Sequence, residues 1–323
     1  MTERNNFLTA LAGRQPDAVP LWELEFHLLN HYSAQPIILG AEFAALSAAE
    51  RETALQRNAE NMVAVAKKLG HAALTCPGGY WEAGPHDPAY YWLPDDYRWQ
   101  QLAALRRAAG ADIALVMFTS GMIMPPVGDD YQEFCYRLFD EPEEISASAE
   151  KTLSWGLSEA KRARDLGADA VCNPCDIGDN HGVFFSPSQL EEFWLPYFHR
   201  WTAGVRALGM RSILHSDGKL TAILELLAES ELDALQALDP IAGMDIAAVK
   251  QQVGDRLCLI GNLDCGLLQL GTEAEVAEAT RTIITAAKPG GGFIFGGTNA
   301  IFRGIPPENY AAALAVWREE RTY

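Results

Sequence analysis

The sequence predicts one α/β domain over residues 1–323, a (β/α)8 TIM barrel. Three observations predict it. Short apolar runs recur eight times, each followed by a longer helical pattern, which is the order of parallel βαβ units. No linker rich in Pro, Gly or Ser divides the 323 residues, and barrels reach this length as a single domain. No Gly-x-Gly-x-x-Gly follows the first run, which counts against an open dinucleotide-binding sheet.

The apolar runs lie at 19–26, 72–76, 113–118, 168–172, 212–214, 234–238, 257–260 and 293–295. Helical patterns at 143–166 and 190–208 lead into the fourth and fifth runs, and a last one covers 307–319. Gly70, Gly110, Gly167, Gly209 and Gly254 stand between a helical pattern and the next run, where glycine supplies a left-handed helix cap.

Composition narrows the class. With 49% hydrophobic and 21% charged residues, the chain reads as an ordinary folded protein. A net charge of −18 disfavours nucleic acid and anionic membrane surfaces as partners. No apolar stretch is long enough for a transmembrane helix. Residues 1–6 lack the basic-then-apolar order of a secretory signal, so a cytoplasmic location is expected. In that reducing compartment the six cysteines are expected as free thiols.

Side chains at the C-terminal strand ends of a barrel converge on one pocket. The first run offers Glu23, Glu25 and His27, the second Cys76, and the third Thr119 and Ser120. The fourth offers Asn173, Cys175 and Asp176, the fifth His215 and Asp217, and the sixth Gln236 and Asp239. The seventh offers Asn262, Asp264 and Cys265, and the eighth runs into Thr298 and Asn299. This set is rich in metal-ligating and acid/base side chains.

His215-Ser-Asp-Gly218 is the sharpest local feature. Residues two apart on an extended chain face the same way, so His215 and Asp217 can meet at one point. An imidazole and a carboxylate there suit a divalent ion or an acid/base pair. The competing reading has Asp217 capping the next helix and His215 as a satisfied core group. Glu23, Glu25 and His27 alternate in the same manner, and three ionisable groups turned inward need partners or a metal. Cys172 and Cys175 have no second paired motif, so packing rather than a zinc ribbon is expected. Cys265 is either a thiolate ligand or an inert buried thiol. Tyr80, Trp81, His86, Tyr90, Tyr91, Trp92, Tyr97 and Trp99 mark a long loop after the second run. It reads as a lid or pocket wall for a flat or methylated organic substrate, or as a small cluster closing the rim.

Five ordered segments carry a resemblance. They are 176–187 with Phe193-Trp-Leu-Pro196, then Leu214-His-Ser-Asp-Gly218, then Gly243-Met-Asp245 with Val249-Lys250, then Gly261-Asn-Leu-Asp264, then Ile305-Pro-Pro-Glu-Asn309. On these the chain resembles the uroporphyrinogen decarboxylase superfamily over residues 165–323. In the first half only Val19-Pro20 and its acidic run look similar.

The resemblance implies the barrel fold and two chemistries. Porphyrinogen decarboxylation looks to an arginine-rich N-terminal motif that grips substrate carboxylates. Here 21–27 carries Glu23 and Glu25, which would repel them. The other chemistry is methyl transfer linked to a corrinoid. Members of that branch hold zinc by a His-x-Cys pair and a later cysteine before the Pro-Glu-Asn motif. His215 matches the histidine, while Asp217 and Asn299 stand where cysteines would be. That departure counts against thiol alkylation. It leaves demethylation of an oxygen, nitrogen or sulfur compound with transfer to corrinoid.

The resemblance therefore implies Zn2+ held by His215, Asp217 and Glu25, with Glu23 as an alternative and Cys265 and Asn299 in reserve. His215, Asp217 and Asp176 are the expected catalytic residues. Glu23, His27, Asn173, Asn262 and Asn299 are expected to contact substrate or corrinoid. The corrinoid (cobalamin) is expected free or on a separate corrinoid protein. The donor is a small methylated compound, and the aromatic loop points to a methoxy-aromatic. The alternative is a metal-free decarboxylase or lyase with His215 and Asp217 as acid and base. A third reading is a non-catalytic barrel that binds a tetrapyrrole or corrinoid.

Overall fold

A computed structural model describes residues 1–78, 90–126 and 128–323. Seven parallel strands form one sheet in sequence order. They are β1 (Ala73–Thr75), β2 (Ala114–Phe118), β3 (Ala170–Pro174), β4 (Arg211–Ser216), β5 (Ala234–Ala237), β6 (Cys258–Leu263) and β7 (Phe293–Gly297). Helices join consecutive strands, as a parallel sheet requires.

The expected first strand is corrected: the described residues form seven strands, not eight. The 19–26 run makes only single bridges, from Leu21 to His71 and to Phe295, and from Phe26 to Ile301. Pro20 has no N–H, so a continuous ladder cannot form there. The segment still meets both sheet edges. Ala72 N–H donates to the Leu21 carbonyl at 2.8 Å, and Trp22 N–H donates to the Phe295 carbonyl at 3.0 Å. The sheet is therefore curled, with this acidic segment lying between β7 and β1.

Side chains alternate across the curled sheet with the strand period of two. Ala73, Ala114, Val116, Phe118, Ala170, Cys172, Ile213, Ala234, Cys258, Ile260 and Ile294 pack inside. Their neighbours Leu115, Met117, Val171, Leu214, Leu235, Leu259 and Phe293 pack outward with the helices. Most inner residues near the strand starts are small, and the helix Glu3–Leu11 fills the space left. Its Phe7 is fully buried and meets Trp22 edge-on at 6.1 Å. The N-terminal end of the sheet is thus plugged by apolar side chains. The polar strand ends lie at the other end.

Local sequence explains the helix limits. Ser47 and Glu50 form a capping box at the start of Ala48–Leu69. Gly70 ends that helix with φ at +92°, and Gly110, Gly167 and Gly209 also have positive φ, as expected. Gly254 does not: its φ is −70°, and an added Cβ would lie 2.6 Å from the Lys250 carbonyl, so close approach is its constraint. The helix expected at 190–208 opens with a π-helical turn over Leu190–Trp194 before the α-helix Leu195–Ala207. Pro196 lacks the N–H that an α-helical bond at that turn needs. Among the described residues, no helix is long and apolar enough to cross a membrane.

Candidate metal centre at the strand ends

Three side chains converge where β3 and β4 end. Asp176 follows β3, His215 lies near the end of β4, and Asp217 follows it. One ligand atom from each lies within 4.8 Å of the others, a spacing compatible with a shared metal ion. His215 is fully buried, and its Nε2 stands 3.9 Å from Asp176 Oδ1. The Asp217 N–H donates to Asp176 Oδ1 at 2.9 Å. Asn299, beyond β7, donates from Nδ2 to Asp217 Oδ2 at 2.8 Å. Behind the ring, His215 Nδ1 bonds to Gln236 Oε1 on β5. Gln236 Nε2 in turn donates to the carbonyls of Gly297 and Thr298, at 3.1 and 3.0 Å.

The electrostatics favour a bound cation. Burial is the main cause that raises the Asp217 carboxyl. His215 pulls it down, Asp176 and Asp239 push it up, and the Asn299 amide offsets part of that. Two carboxylates crowd one imidazole, with Asp239 close enough to add to the repulsion. A divalent ion would relieve that repulsion, and a nitrogen-plus-carboxylate donor set suits zinc or a similar metal. The residues present therefore fit a metal.

The acidic segment makes a different cluster. Glu23 is 4% exposed and fully engaged. Its Oε2 accepts from the Gly297 N–H at 2.8 Å, and its Oε1 accepts from the Tyr310 hydroxyl at 3.0 Å. Tyr310 also bonds to His71 Nε2 at 3.0 Å. Burial lifts the Glu23 carboxyl to about 7 despite those two donors. Glu25, 1% exposed, bonds to His27 Nε2 at 2.7 Å, and burial raises its carboxyl. It feels the charge of His215 but stands outside the Asp176–His215–Asp217 group. His27 stacks on Tyr91, ring centres 5.5 Å apart, and Tyr90 meets it edge-on at 5.7 Å. The Arg303 guanidinium covers Tyr90 at 3.5 Å. Tyr80, Trp81 and His86 of the expected aromatic loop lie outside the described residues.

The other expected residues are spread around the same rim. Asn262 on β6 donates from Nδ2 to the Leu238 carbonyl at 2.9 Å. Asn173 on β3 is 1% exposed, and its Nδ2 has no hydrogen-bond partner among the described residues. Cys265 turns its thiol to the Ala300 carbonyl at 3.7 Å, and burial pushes that thiol up to about 11. Cys172 and Cys175 are buried free thiols, as packing predicts.

The uroporphyrinogen decarboxylase (URO-D) family model matches residues 104–320. The chain belongs to that family. Among the relatives of this uroporphyrinogen decarboxylase family member, the enzyme named uroporphyrinogen decarboxylase from Thioalkalivibrio sulfidiphilus is 34% identical over 154 residues, covering 46% of the chain and 41% of the relative. The one from Aromatoleum aromaticum is 29% identical over 223 residues, covering 66% of the chain and 60% of the relative. The chain thus aligns with well under two thirds of those relatives' length. A methyltransferase from Methanosarcina mazei has the same fold, with a TM-score of 0.71, 17% identity and 99% of each chain covered. A B12-independent methionine synthase from a Shewanella strain follows at a TM-score of 0.58, 12% identity, and 94% and 97% coverage. Glu23, Glu25 and His27 precede the residues that the family model matches.

Two groups were given no role by the sequence reading. Gln236 pairs directly with His215 in the β4–β5 register, so its contact was readable only once strand order was known. Tyr310 reaches Glu23 across 287 residues of sequence, and no local pattern marks it.

Proposed function

We propose that the chain is a zinc-dependent methyltransferase that moves a methyl group from a small methylated substrate to a corrinoid. The observation that carries this reading is the Asp176–His215–Asp217 group at the C-terminal strand ends. Asp176 here takes the place that the sequence reading gave to Glu25 and Cys265. The methyl acceptor is a second substrate, either free cobalamin or cobalamin on a separate corrinoid protein. The name of the Methanosarcina fold neighbour agrees with methyl transfer, and the residues supply the rest of the reading.

Zinc bound by these three residues would act as a Lewis acid on the substrate heteroatom, so that the demethylated group leaves with less charge. The chain's own residues do the remaining work. Asn299 fixes one oxygen of Asp217, and the Asp217 N–H fixes one oxygen of Asp176. The hydrogen-bonded Glu25–His27 pair, within electrostatic reach of His215, is the group that would supply a proton to the leaving group. Tyr90 and Tyr91 wall the His27 side with aromatic faces, which favours a methoxy-aromatic donor.

The test is the metal content of the purified protein and of His215→Ala. About one zinc per chain, lost in the variant, supports the reading. Transfer from methoxy-aromatic donors to cob(I)alamin then follows as the activity assay. A folded protein that takes up no metal would overturn the reading in favour of a metal-free decarboxylase or lyase.

A further inference from the structure

We infer that Gln236 is a positioning residue that fixes the ring tautomer of His215 and so aims Nε2 at the two carboxylates. The inference rests on the reading above only in giving Nε2 to a metal. Gln236 is 1% exposed, and both ends of its amide are engaged. One end faces the carbonyls of Gly297 and Thr298 at 3.1 and 3.0 Å. Carbonyls only accept, so the amide nitrogen must occupy that end. The amide oxygen is then forced to face His215 Nδ1. An oxygen acceptor there requires the ring to carry a proton on Nδ1. With a single ring proton, Nε2 is left as a lone-pair donor, 3.9 Å from Asp176 Oδ1.

The consequence is a chain of control from β7 through β5 to β4. Two backbone carbonyls orient one amide, the amide selects one tautomer, and the tautomer decides which ring nitrogen can bind a cation. A metal-bound histidine commonly donates its other N–H in this way, and loss of such a partner weakens metal binding about 10- to 100-fold. The register pairing of His215 with Gln236 holds the two side chains level without further help.

The experiment uses the full chain, metal-free, with nitrogen-15 histidine. Long-range imidazole spectra, with His215 assigned by loss of its signals in His215→Ala, are expected to show a protonated Nδ1 and an unprotonated Nε2. Gln236→Glu, as a neutral acid whose O–H faces the Gly297 and Thr298 carbonyls, keeps an acceptor for Nδ1 and is expected to keep that tautomer. Gln236→Leu is expected to lose it and to weaken Zn2+ binding about tenfold or more, measured by chelator competition. Zinc affinity retained in Gln236→Glu but lost in Gln236→Leu separates positioning from mere packing. A wild-type ring protonated on Nε2 overturns the inference. So does a folded Gln236→Leu with an unchanged tautomer and zinc affinity. If Gln236→Leu does not fold, the wild-type and Gln236→Glu spectra decide. A wild-type chain that binds no zinc overturns the metal reading, and the tautomer spectra still decide the role of Gln236.

Discussion

Two acid-and-histidine clusters sit on this sheet, and they are built on opposite terms. In the Glu23–Tyr310–His71 cluster every polar side chain has a partner. His71 bonds to the Tyr310 hydroxyl, that hydroxyl bonds to Glu23 Oε1, and the Gly297 N–H donates to Glu23 Oε2. In the Asp176–His215–Asp217 cluster two carboxylates crowd one imidazole, and Asp176 is 40% exposed. The first cluster is complete within the chain and holds the 19–26 segment to the sheet. The second leaves like charges side by side, the arrangement that the proposed zinc would neutralise. Buried ionisable groups are not in themselves a sign of function; a set whose charges do not close is.

Alanine substitutions should separate the two most widely. Glu23→Ala strands a backbone N–H and a tyrosine hydroxyl in the core. The expected loss of stability is on the order of 4 kcal/mol. Asp217→Ala removes a half-buried charge that its neighbours repel, and should change the metal-free protein by less than about 1 kcal/mol while abolishing zinc binding. Urea unfolding of both variants without metal gives the comparison. Equal losses would show that the division into structural and functional clusters is wrong.

The pH dependence sharpens the structural half. Burial lifts Glu23 from its ordinary 4.5 to about 7, so between those values the folded chain holds a proton that the unfolded chain releases. Its contribution to stability is present below 4.5 and falls as pH rises through about 7. Burial, helped by Arg318, lowers His71 from 6.5 to about 3, so its contribution rises with pH across that window. The two slopes oppose each other between 4.5 and 6.5. Glu23→Gln removes one of them. Relative to wild type, its stability should rise with pH there by about 1.4 kcal/mol per unit. Parallel stability curves for the two proteins would contradict the assignment of a buried proton to Glu23.

A smaller effect is expected at the rim of the other cluster. Asn299→Leu takes away the amide that holds Asp217 Oδ2. The Asp217 carboxyl then rises further, and it must lose its proton before it can bind a cation. Zinc affinity should fall about tenfold near neutral pH, with the loss growing as pH drops. Unchanged affinity would remove Asn299 from the site.

Much of this architecture was legible in the sequence because it follows from local rules. The continuous apolar run of 114–118, buried on both faces, and the glycines closing four of the helices depend on neighbours in the chain. The convergence of His215 with Asp176 was legible through strand ends, since any parallel α/β sheet gathers them. The family motifs were less transparent, because several serve the backbone. Asp245 caps the helix Ile246–Val253, Asp264 caps Cys265–Leu270, and Asn309 ties down the carbonyls of Leu268 and Gly271. What the sequence hid is long-range. Tyr310 completes Glu23, and Gln236 backs His215. Each depends on which segments meet in space, and side-chain type alone does not report that.

Cys265 gives the finest division between the two halves. It lies in the β6–β7 neighbourhood, where a thiolate ligand would be the natural choice for zinc. The structure turns its Sγ to the Ala300 carbonyl at 3.7 Å, and burial holds the thiol up at about 11, so near neutral pH it keeps its proton. It stands outside the Asp176–His215–Asp217 group, whereas Asp176 is fixed within that group by the Asp217 N–H. Cys265→Ser should therefore leave zinc affinity within about twofold, while Asp176→Asn weakens it tenfold or more by the loss of a charged ligand. Cobalt in place of zinc reads the same point spectroscopically: no thiolate-to-metal charge-transfer band is expected in the wild type. Such a band, lost in Cys265→Ser, would move the metal toward the end of β6. Asp176 and Asp217 would then be left as an acid pair whose repulsion the metal does not relieve.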